Sequence, residues 1–239
     1  MTGGLPPPRA LLLAGGEGLR LRPITASIPK CLVPIRGKPL LGIWLDMLFQ
    51  AGVERVLINT HYLAGQVNAF VANSPWADRV DLVHERALLG TAGTLRANAD
   101  YFGKDALFLV HADNLSRFSV ADFSDAHRRR PPECIGTMLT FATDKPQNCG
   151  IVEIDNRGVV AAVHEKVPSP PGNLANAAVF ILESAIFPEL TRYPLATDFC
   201  RDIVPPLTGR WSTFHNATYH RDIGSPESLD RAQQEYEWI

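Results

Sequence analysis

The sequence predicts a doubly wound α/β fold with a mixed sheet and a small β-rich region, and three features predict it. Apolar runs of strand length alternate with stretches of helical periodicity through the first half of the chain. That alternation builds a parallel sheet with helices on both faces. The first apolar run, residues 10–14, empties into a loop containing Gly15, Gly16 and Gly18. The second half changes character, to short strands joined by turns such as Asp155-Asn156-Arg157-Gly158.

Each element has its own signal. Residues 10–14 form a continuous apolar run, the mark of a buried strand. Residues 39–51 carry Leu40, Leu41, Trp44, Leu45, Leu48 and Phe49 at helical spacing, and Gly52 supplies the stop. Residues 53–59 read as a strand, 63–71 as a helix, 79–84 as a strand, 91–99 as a helix and 106–110 as a strand. In the second half, residues 134–141, 151–154, 159–163 and 177–182 read as short strands. Ser225 as N-cap and Pro226 at the first helical position open a last helix. Residues 1–8, rich in Gly and Pro, are expected to be a flexible lead-in to a single domain spanning 9–239. Within it, about 9–130 forms one half and 131–239 the other.

Composition excludes several function classes. A net charge of −2 over 239 residues provides no broad basic face, which argues against general nucleic-acid binding. No apolar run approaches the ~20 residues that span a membrane. Cys31, Cys134, Cys149 and Cys200 show no Cys-x-x-Cys spacing, so they are expected to be reduced, buried thiols of a cytoplasmic protein. His84, His111 and His164 lack metal-ligand spacing and are read as core or supporting histidines rather than a zinc site.

Chemistry concentrates at the glycine-rich loop. Glycine lets the chain turn sharply and brings amide N–H groups close to a ligand, and consecutive amides form an anion-binding concavity. From Gly18 to Leu45 there are five basic residues (Arg20, Arg22, Lys30, Arg36, Lys38) and no Asp or Glu. A loop of this kind reads as a cradle for a nucleoside triphosphate. It is neither a P-loop, which needs Gly-x-x-x-x-Gly-Lys-Ser/Thr, nor a dinucleotide fingerprint, because Leu21 stands where the third glycine belongs and Pro23 and Pro29 come after it. Asp113 lies just past the strand at 106–110. Ligands of such sheets bind beyond the carboxyl ends of the strands, so the loop and Asp113 are expected to converge.

The string Leu13-Ala14-Gly15-Gly16-Glu17-Gly18-Leu19-Arg20-Leu21-Arg22-Pro23-Ile24-Thr25, with Pro29-Lys30 beyond it, closely resembles the signature of sugar-1-phosphate nucleotidyltransferases. That pattern is Leu-Ala-Gly-Gly-x-Gly-x-Arg-Leu-x-Pro-x-Thr, a short gap, then Pro-Lys, and every defined position is met. The resemblance continues in order along nearly the whole chain. Leu89-Gly90-Thr91-Ala92-Gly93 matches a base-contacting segment, preceded by Glu85 as in mannose-type enzymes. Ala112-Asp113 matches a Gly-Asp pair, and Gly150-Ile151-Val152 a sugar-contacting strand. His164-Glu165-Lys166-Val167 resembles Phe-x-Glu-Lys-Pro, and Asn176-Ala177-Ala178 resembles Asn-Ala-Gly. Tyr219-His220-Arg221-Asp222-Ile223-Gly224-Ser225-Pro226-Glu227 resembles Trp-x-Asp-Ile-Gly-Thr-Pro-Glu. Ala112 and Ala178 stand where the family has glycine.

The resemblance implies a Rossmann-like mixed sheet of the nucleotide-diphospho-sugar transferase type, with a nucleotide-binding first half and a sugar-phosphate-binding second half. It implies nucleotidyl transfer from an NTP to a sugar 1-phosphate, in the service of nucleotide-sugar and cell-surface polysaccharide biosynthesis. By resemblance, Leu13, Ala14, Gly15, Gly16, Gly18, Glu85, Leu89, Gly90, Thr91 and Ala92 contact the nucleotide. Arg20 holds the leaving pyrophosphate and Lys30 neutralises the α-phosphate. Gly150, Glu165, Lys166 and Asn176 hold the sugar phosphate, and Asp113 and Asp222 hold Mg²⁺. The loop around Gly90 and the chain length are most like manno-configured guanylyltransferases acting on mannose or heptose 1-phosphate. Uridylyl-, thymidylyl- and cytidylyltransferases, including one for phosphocholine, share most of the scaffold, and a non-catalytic relative that binds the NDP-sugar is a further alternative. A monomer or small homo-oligomer is expected, with no appended acyltransferase or solenoid domain.

Overall fold

The computed structural model describes residues 7–237. Of the lead-in expected over 1–8, residues 1–6 lie outside the described residues. Pro7 and Pro8 belong to the fold instead. Pro7 is buried, and the Pro8 carbonyl accepts the N–H groups of Glu54 (2.8 Å) and Arg55 (3.2 Å).

The first half runs β1 (Arg9–Leu13), a hairpin of β2 (Pro34–Ile35) and β3 (Lys38–Pro39), α1 (Leu40–Gln50), β4 (Arg55–Thr60), α2 (Ala64–Ala72), β5 (Val80–His84), α3 (Gly90–Ala97), the short α4 (Ala99–Phe102) and β6 (Leu107–His111). β1 lies between β4 and β6, β5 lies outside β4, and all four strands are parallel. Both faces of β1 are covered, which is why its sequence is continuously apolar rather than alternating. Ala10 and Leu12 pack into the core that contains α1, whereas Leu11 and Leu13 pack into the core that contains α3. The chain leaves β1 towards β4 on one side and returns to β6 on the other. The crevice between the ends of β1 and β6 is therefore a topological switch point, where ligands of open α/β sheets bind.

The second half runs β7 (Asn114–Arg117), α5 (Val120–Arg128), β8 (Gly136–Ala142), β9 (Gly150–Ile154), β10 (Val160–Glu165), β11 (Leu174–Leu182), α6 (Ile186–Arg192), a π-helical turn (Phe199–Ile203), β12 (Trp211–His215), β13 (Tyr219–Asp222) and α7 (Pro226–Glu235). These strands extend the same sheet. β11 pairs antiparallel with β6, β8 pairs with β11, β12 runs parallel to β8, and β9 and β10 form a hairpin at the far edge. The result is one mixed nine-stranded sheet with two small two-stranded antiparallel sheets beside it. Ser225 caps α7 by accepting the Ser228 N–H, with Pro226 in the first turn, as the sequence predicts.

Several elements have no counterpart in the sequence signals, among them the β2–β3 hairpin, α5, α6, β12 and, most important for the site, the ribbon of β7 and β13. β7 and β13 pair antiparallel, with Asp222 opposite Asn114. These short strands, Asn-Leu-Ser-Arg and Tyr-His-Arg-Asp, lack an alternating apolar pattern, and they bring the C-terminal motif against the end of β6. Among the described residues, all four cysteines are free thiols and no helix is long and apolar enough to cross a membrane. Cys31 and Cys134 are buried, whereas Cys149 and Cys200 are only partly so.

Candidate active site

A cavity of about 650 Å³ opens at the switch point, walled by the glycine-rich loop, Lys30, Asn59, Glu85, His111 and Asp113. The loop is stitched to the segment between Leu19 and Lys30. Gly18 sits at φ 63°, a left-handed conformation that costs glycine nothing. A Cβ at Gly18 would lie 3.0 Å from the Thr25 side chain and 3.1 Å from that of Lys30. The Thr25 hydroxyl donates to the Gly18 carbonyl at 2.7 Å, and the Tyr62 hydroxyl donates to the Thr25 carbonyl at 2.9 Å. These bonds place Lys30 under the loop with only 7% of its side chain exposed.

Lys30 is the electrostatic centre. Its Nζ lies 2.9 Å from Asp113 Oδ2 and 3.3 Å from Asp222 Oδ1. A buried ammonium needs such partners, because leaving water uncompensated is costly. Burial alone would raise the Asp113 carboxyl, but the Lys30 ammonium and His111 outweigh it and hold that carboxyl below its ordinary range. Arg20 Nη2 stands 3.6 Å from Asp222 Oδ2 with its side chain mostly in solvent. Gly224 keeps this corner open: a Cβ there would fall 2.7 Å from Arg20 Nη2 and 2.9 Å from Asp222 Oδ2. Four charged groups predicted from three distant motifs therefore meet, joined by the pairing of β7 with β13.

The far wall is formed by Glu85 and the start of α3. Glu85 is 5% exposed, and its Oε2 accepts the Leu89 N–H at 3.2 Å. Gly90 has φ 74°, and a Cβ on it would strike the Thr197 carbonyl oxygen at 2.3 Å, so only glycine fits. The Thr91 hydroxyl accepts the Phe199 N–H at 2.7 Å. Of the segment expected at the nucleotide, Gly90 and Thr91 face the cavity, but Ala92 does not. Ala92 is fully buried and donates its N–H to the Thr197 carbonyl at 2.9 Å, which makes it part of the helix packing. Leu89 stands at the rim, 43% exposed and outside the cavity wall.

A second cavity of about 690 Å³ adjoins the first and shares Arg20 and Gly224 with it. Asp222, Lys145, Lys166 and Arg231 line it. Gly150 pairs with Glu165 across the β9–β10 hairpin, and a Cβ at Gly150 would meet Glu165 Oε2 at 2.5 Å. Lys166 Nζ is 3.5 Å from Glu165 Oε1. Asn176 Oδ1 accepts the Ala178 N–H at 2.8 Å, and its Nδ2 lies 3.5 Å from Cys200 Sγ. Gly150, Glu165 and Asn176 line neither of the two cavities, whereas Lys166 lines the second.

The family model described as nucleotidyl transferase matches residues 9–238. The chain belongs to that family. It is 30% identical, over 93% of its length, to the mannose-1-phosphate guanylyltransferase of Mycobacterium tuberculosis. It is 28% identical, over 92% of its length, to the mannose-1-phosphate guanylyltransferase catalytic subunit beta of Drosophila melanogaster. The chain spans 62% and 60% of these two relatives. Among solved structures it is similar to HddC from Yersinia pseudotuberculosis complexed with GMP-PN (TM-score 0.79, 26% identity, 96% of this chain and 99% of that one). A Bacillus anthracis structure named for glucose-1-phosphate thymidylyltransferase, at 20% identity and TM-score 0.82 over 97% of both chains, shows the shared fold.

The charges at this junction suit a polyanionic ligand. Two carboxylates meet at one ammonium with Arg20 beside them, and no group of three or more His, Cys, Asp or Glu among the described residues could cage a metal. A pair of carboxylates completed by substrate oxygens and water fits Mg²⁺ better than a dedicated protein cage would. Asn59 and His111 also line the cavity, and the sequence assigned neither of them to a ligand. Asn59 is the penultimate residue of β4, and His111, two places before Asp113, leaves a buried Nε2 without a hydrogen-bond partner. Burial holds the His111 imidazole below its ordinary range, against the pull of Asp113 and Asp198. The available signal was position: both lie at carboxyl ends of parallel strands next to β1.

Proposed function

We propose that this chain transfers a guanylyl group from GTP to a manno-configured hexose or heptose 1-phosphate. An oxygen of the sugar phosphate attacks the α-phosphorus, the bond between that phosphorus and the β-phosphate oxygen breaks, and pyrophosphate leaves. The observation that carries the reading is Lys30 between Asp113 and Asp222, at the seam of two adjoining cavities. The NTP occupies the cavity under the glycine-rich loop, and the acceptor enters from the Lys166 side.

Both reactants are polyanions, so the barrier is repulsion and developing charge, and catalysis rests on alignment and neutralisation. A phosphate nucleophile is already ionised at neutral pH, so no general base is required. Lys30 neutralises the α-phosphate, Arg20 holds the departing pyrophosphate and Lys166 holds the incoming phosphate. Gly150, Glu165 and Asn176 orient the sugar. Asp113 and Asp222 would hold Mg²⁺, which supplies further neutralisation of phosphate charge when bound. The choice of guanine is supported by the relatives' names and by the Gly90–Thr91 turn and Glu85, which line the cavity under the loop.

Pyrophosphate release, measured with each of four NTPs against a panel of sugar 1-phosphates and phosphocholine, tests the reading. Fastest release is expected with GTP and mannose or heptose 1-phosphate. Faster release with UTP, dTTP or CTP overturns the base. No release with any pair, together with tight NDP-sugar binding, marks a non-catalytic relative.

A further inference from the structure

Asn59 is 4% exposed and sits at the carboxyl end of β4, beside the end of β1. Its Oδ1 accepts the Ala14 N–H at 2.8 Å. Its Nδ2 donates to Glu85 Oε1 at 3.1 Å and approaches the Thr94 hydroxyl at 3.4 Å. The Thr94 hydroxyl donates to the same Glu85 oxygen, and the other oxygen accepts the Leu89 N–H at 3.2 Å. A continuous chain of hydrogen bonds thus runs from the amide that opens the glycine-rich loop to the turn that opens α3. The loop also passes close to Asn59, since a Cβ at Gly15 would lie 3.0 Å from Nδ2.

The residue type matters here. The amide must present an acceptor to a backbone N–H and a donor to a carboxylate, which fixes its orientation and excludes the flipped form. Aspartate offers the acceptor but no donor, and an aliphatic side chain offers neither. In a buried site an unmatched donor or acceptor forfeits the full desolvation cost.

We propose that Asn59 is a positioning residue for the nucleotide. It locks the phosphate-side loop and the base-side turn into one unit, so that an NTP meets both at a fixed spacing. This rests on reading the first cavity as the NTP pocket. The hydrogen bonds of Asn59 reach no group assigned to the acceptor, so the effect falls on the NTP and not on the sugar phosphate.

The test uses the full chain with Asn59→Asp, Asn59→Leu, Glu85→Gln and the double variant Asn59→Asp/Glu85→Gln. The dissociation constants of all four NTPs are measured by calorimetry, alongside KM for NTP, KM for acceptor and Tm. Asn59→Asp keeps the bond to Ala14 but sets a second carboxylate against Glu85. The double variant restores a donor–acceptor pair with its polarity reversed. Asn59→Asp is expected to weaken NTP binding about tenfold, the scale of one unmatched buried partner, with acceptor KM within about twofold. The double variant should regain part of that loss for the NTP it binds best, whereas a second double variant, Asn59→Leu/Glu85→Gln, should bind NTP no better than Asn59→Leu alone. An equal rise in both KM values, a lowered Tm with unchanged NTP affinity, or a double variant no better than either single one would overturn the proposal. Wild-type protein that binds no NTP would overturn the reading of the cavity itself, and the proposal with it. Wild-type binding with an unaltered Asn59→Asp would overturn the proposal alone.

Discussion

Lys30 and Lys166 are both assigned to phosphates, and they stand in opposite surroundings. The Lys30 side chain is 7% exposed and held between two carboxylates, whereas that of Lys166 is 66% exposed and has one carboxylate at 3.5 Å. The backbone beneath them differs in the same sense. Around the nucleotide cavity, Gly18 and Gly90 take the positive φ values. On the acceptor side, Lys166 (φ 50°) and Ala178 (φ 54°) take them, at the cost that any Cβ brings to that conformation. The first cavity thus holds Lys30 fixed between carboxylates, whereas the second leaves Lys166 in solvent. An exposed pair such as Lys166–Glu165 contributes little by itself.

The comparison breaks most visibly at Lys30. Replacing it by Ala should lower kcat ~10²-fold or more while the circular-dichroism spectrum stays native, because a lost transition-state charge donor typically costs ~2.7–4 kcal/mol. Normal turnover would remove Lys30 from the mechanism, and an unfolded variant would make it structural. Asp113→Asn and Asp222→Asn should each lose most turnover at low Mg²⁺ and regain part of it at high Mg²⁺. The double variant should be far less than additively impaired, because both changes break one site. Strictly additive losses would separate the two carboxylates.

The contrast between the halves was only half legible in the chain. Strand–helix alternation and the loop signature are local signals, so β1, Gly15, Gly16, Gly18, Arg20, Lys30 and Asp113 could be read directly. The convergence of Asp222 on Asp113 could be named by resemblance, but its cause could not. It depends on the polar ribbon of β7 and β13, whose pairing is a long-range event that leaves no periodicity in either strand. The burial of Ala92 against Thr197 was not legible, because it is decided by a segment about a hundred positions away. Asn59 was missed because a lone Asn at a strand end has no signature until its three partners are in place.

Away from both cavities, a buried histidine gives the fold a pH dependence of its own. His127 is 4% exposed under β8, with Nδ1 2.8 Å from the Thr137 hydroxyl and Nε2 3.0 Å from Glu183 Oε1. Burial, and then Arg130, push its imidazole down from 6.5 to about 4, against the pull of Glu183. The folded protein therefore keeps His127 neutral where the unfolded chain protonates it. Its contribution is fully present above about pH 6.5 and is lost as pH falls towards 4, by up to about 3 kcal/mol. Tm should fall over that window in wild type, and the fall should be shallower in His127→Gln. A Tm that rises from pH 6.5 to pH 4.5 would contradict this.

Lys166→Ala probes the rim itself. KM for the sugar phosphate should rise about tenfold, equivalent to about 1.4 kcal/mol, while KM for the NTP stays within about twofold. Equal rises would move Lys166 to the nucleotide side and erase the distinction between the two lysines.

The smallest effect concerns Ala178, where the family pattern has glycine. Its φ of 54° places a Cβ in the left-handed region, at the point where the pairing of β11 with β8 shifts register between Asn176 and Phe180. The Ala178 N–H donates to Asn176 Oδ1, so this bend also orients the Asn176 side chain. Ala178→Gly would relieve about 1 kcal/mol of conformational strain. Against that, glycine widens the unfolded ensemble and returns about 0.4–1 kcal/mol. The two terms nearly cancel, with the net lying between zero and a gain of under about 1 kcal/mol, so Tm should stay level or rise by a few degrees. The hydrogen bond to Asn176 uses only backbone at position 178 and survives the change, so acceptor KM should hold within about twofold. A fall in Tm would show that the alanine methyl stabilises the fold by packing. A rise in acceptor KM with Tm unchanged would show that the strained alanine, not the hydrogen bond, fixes Asn176 for the sugar.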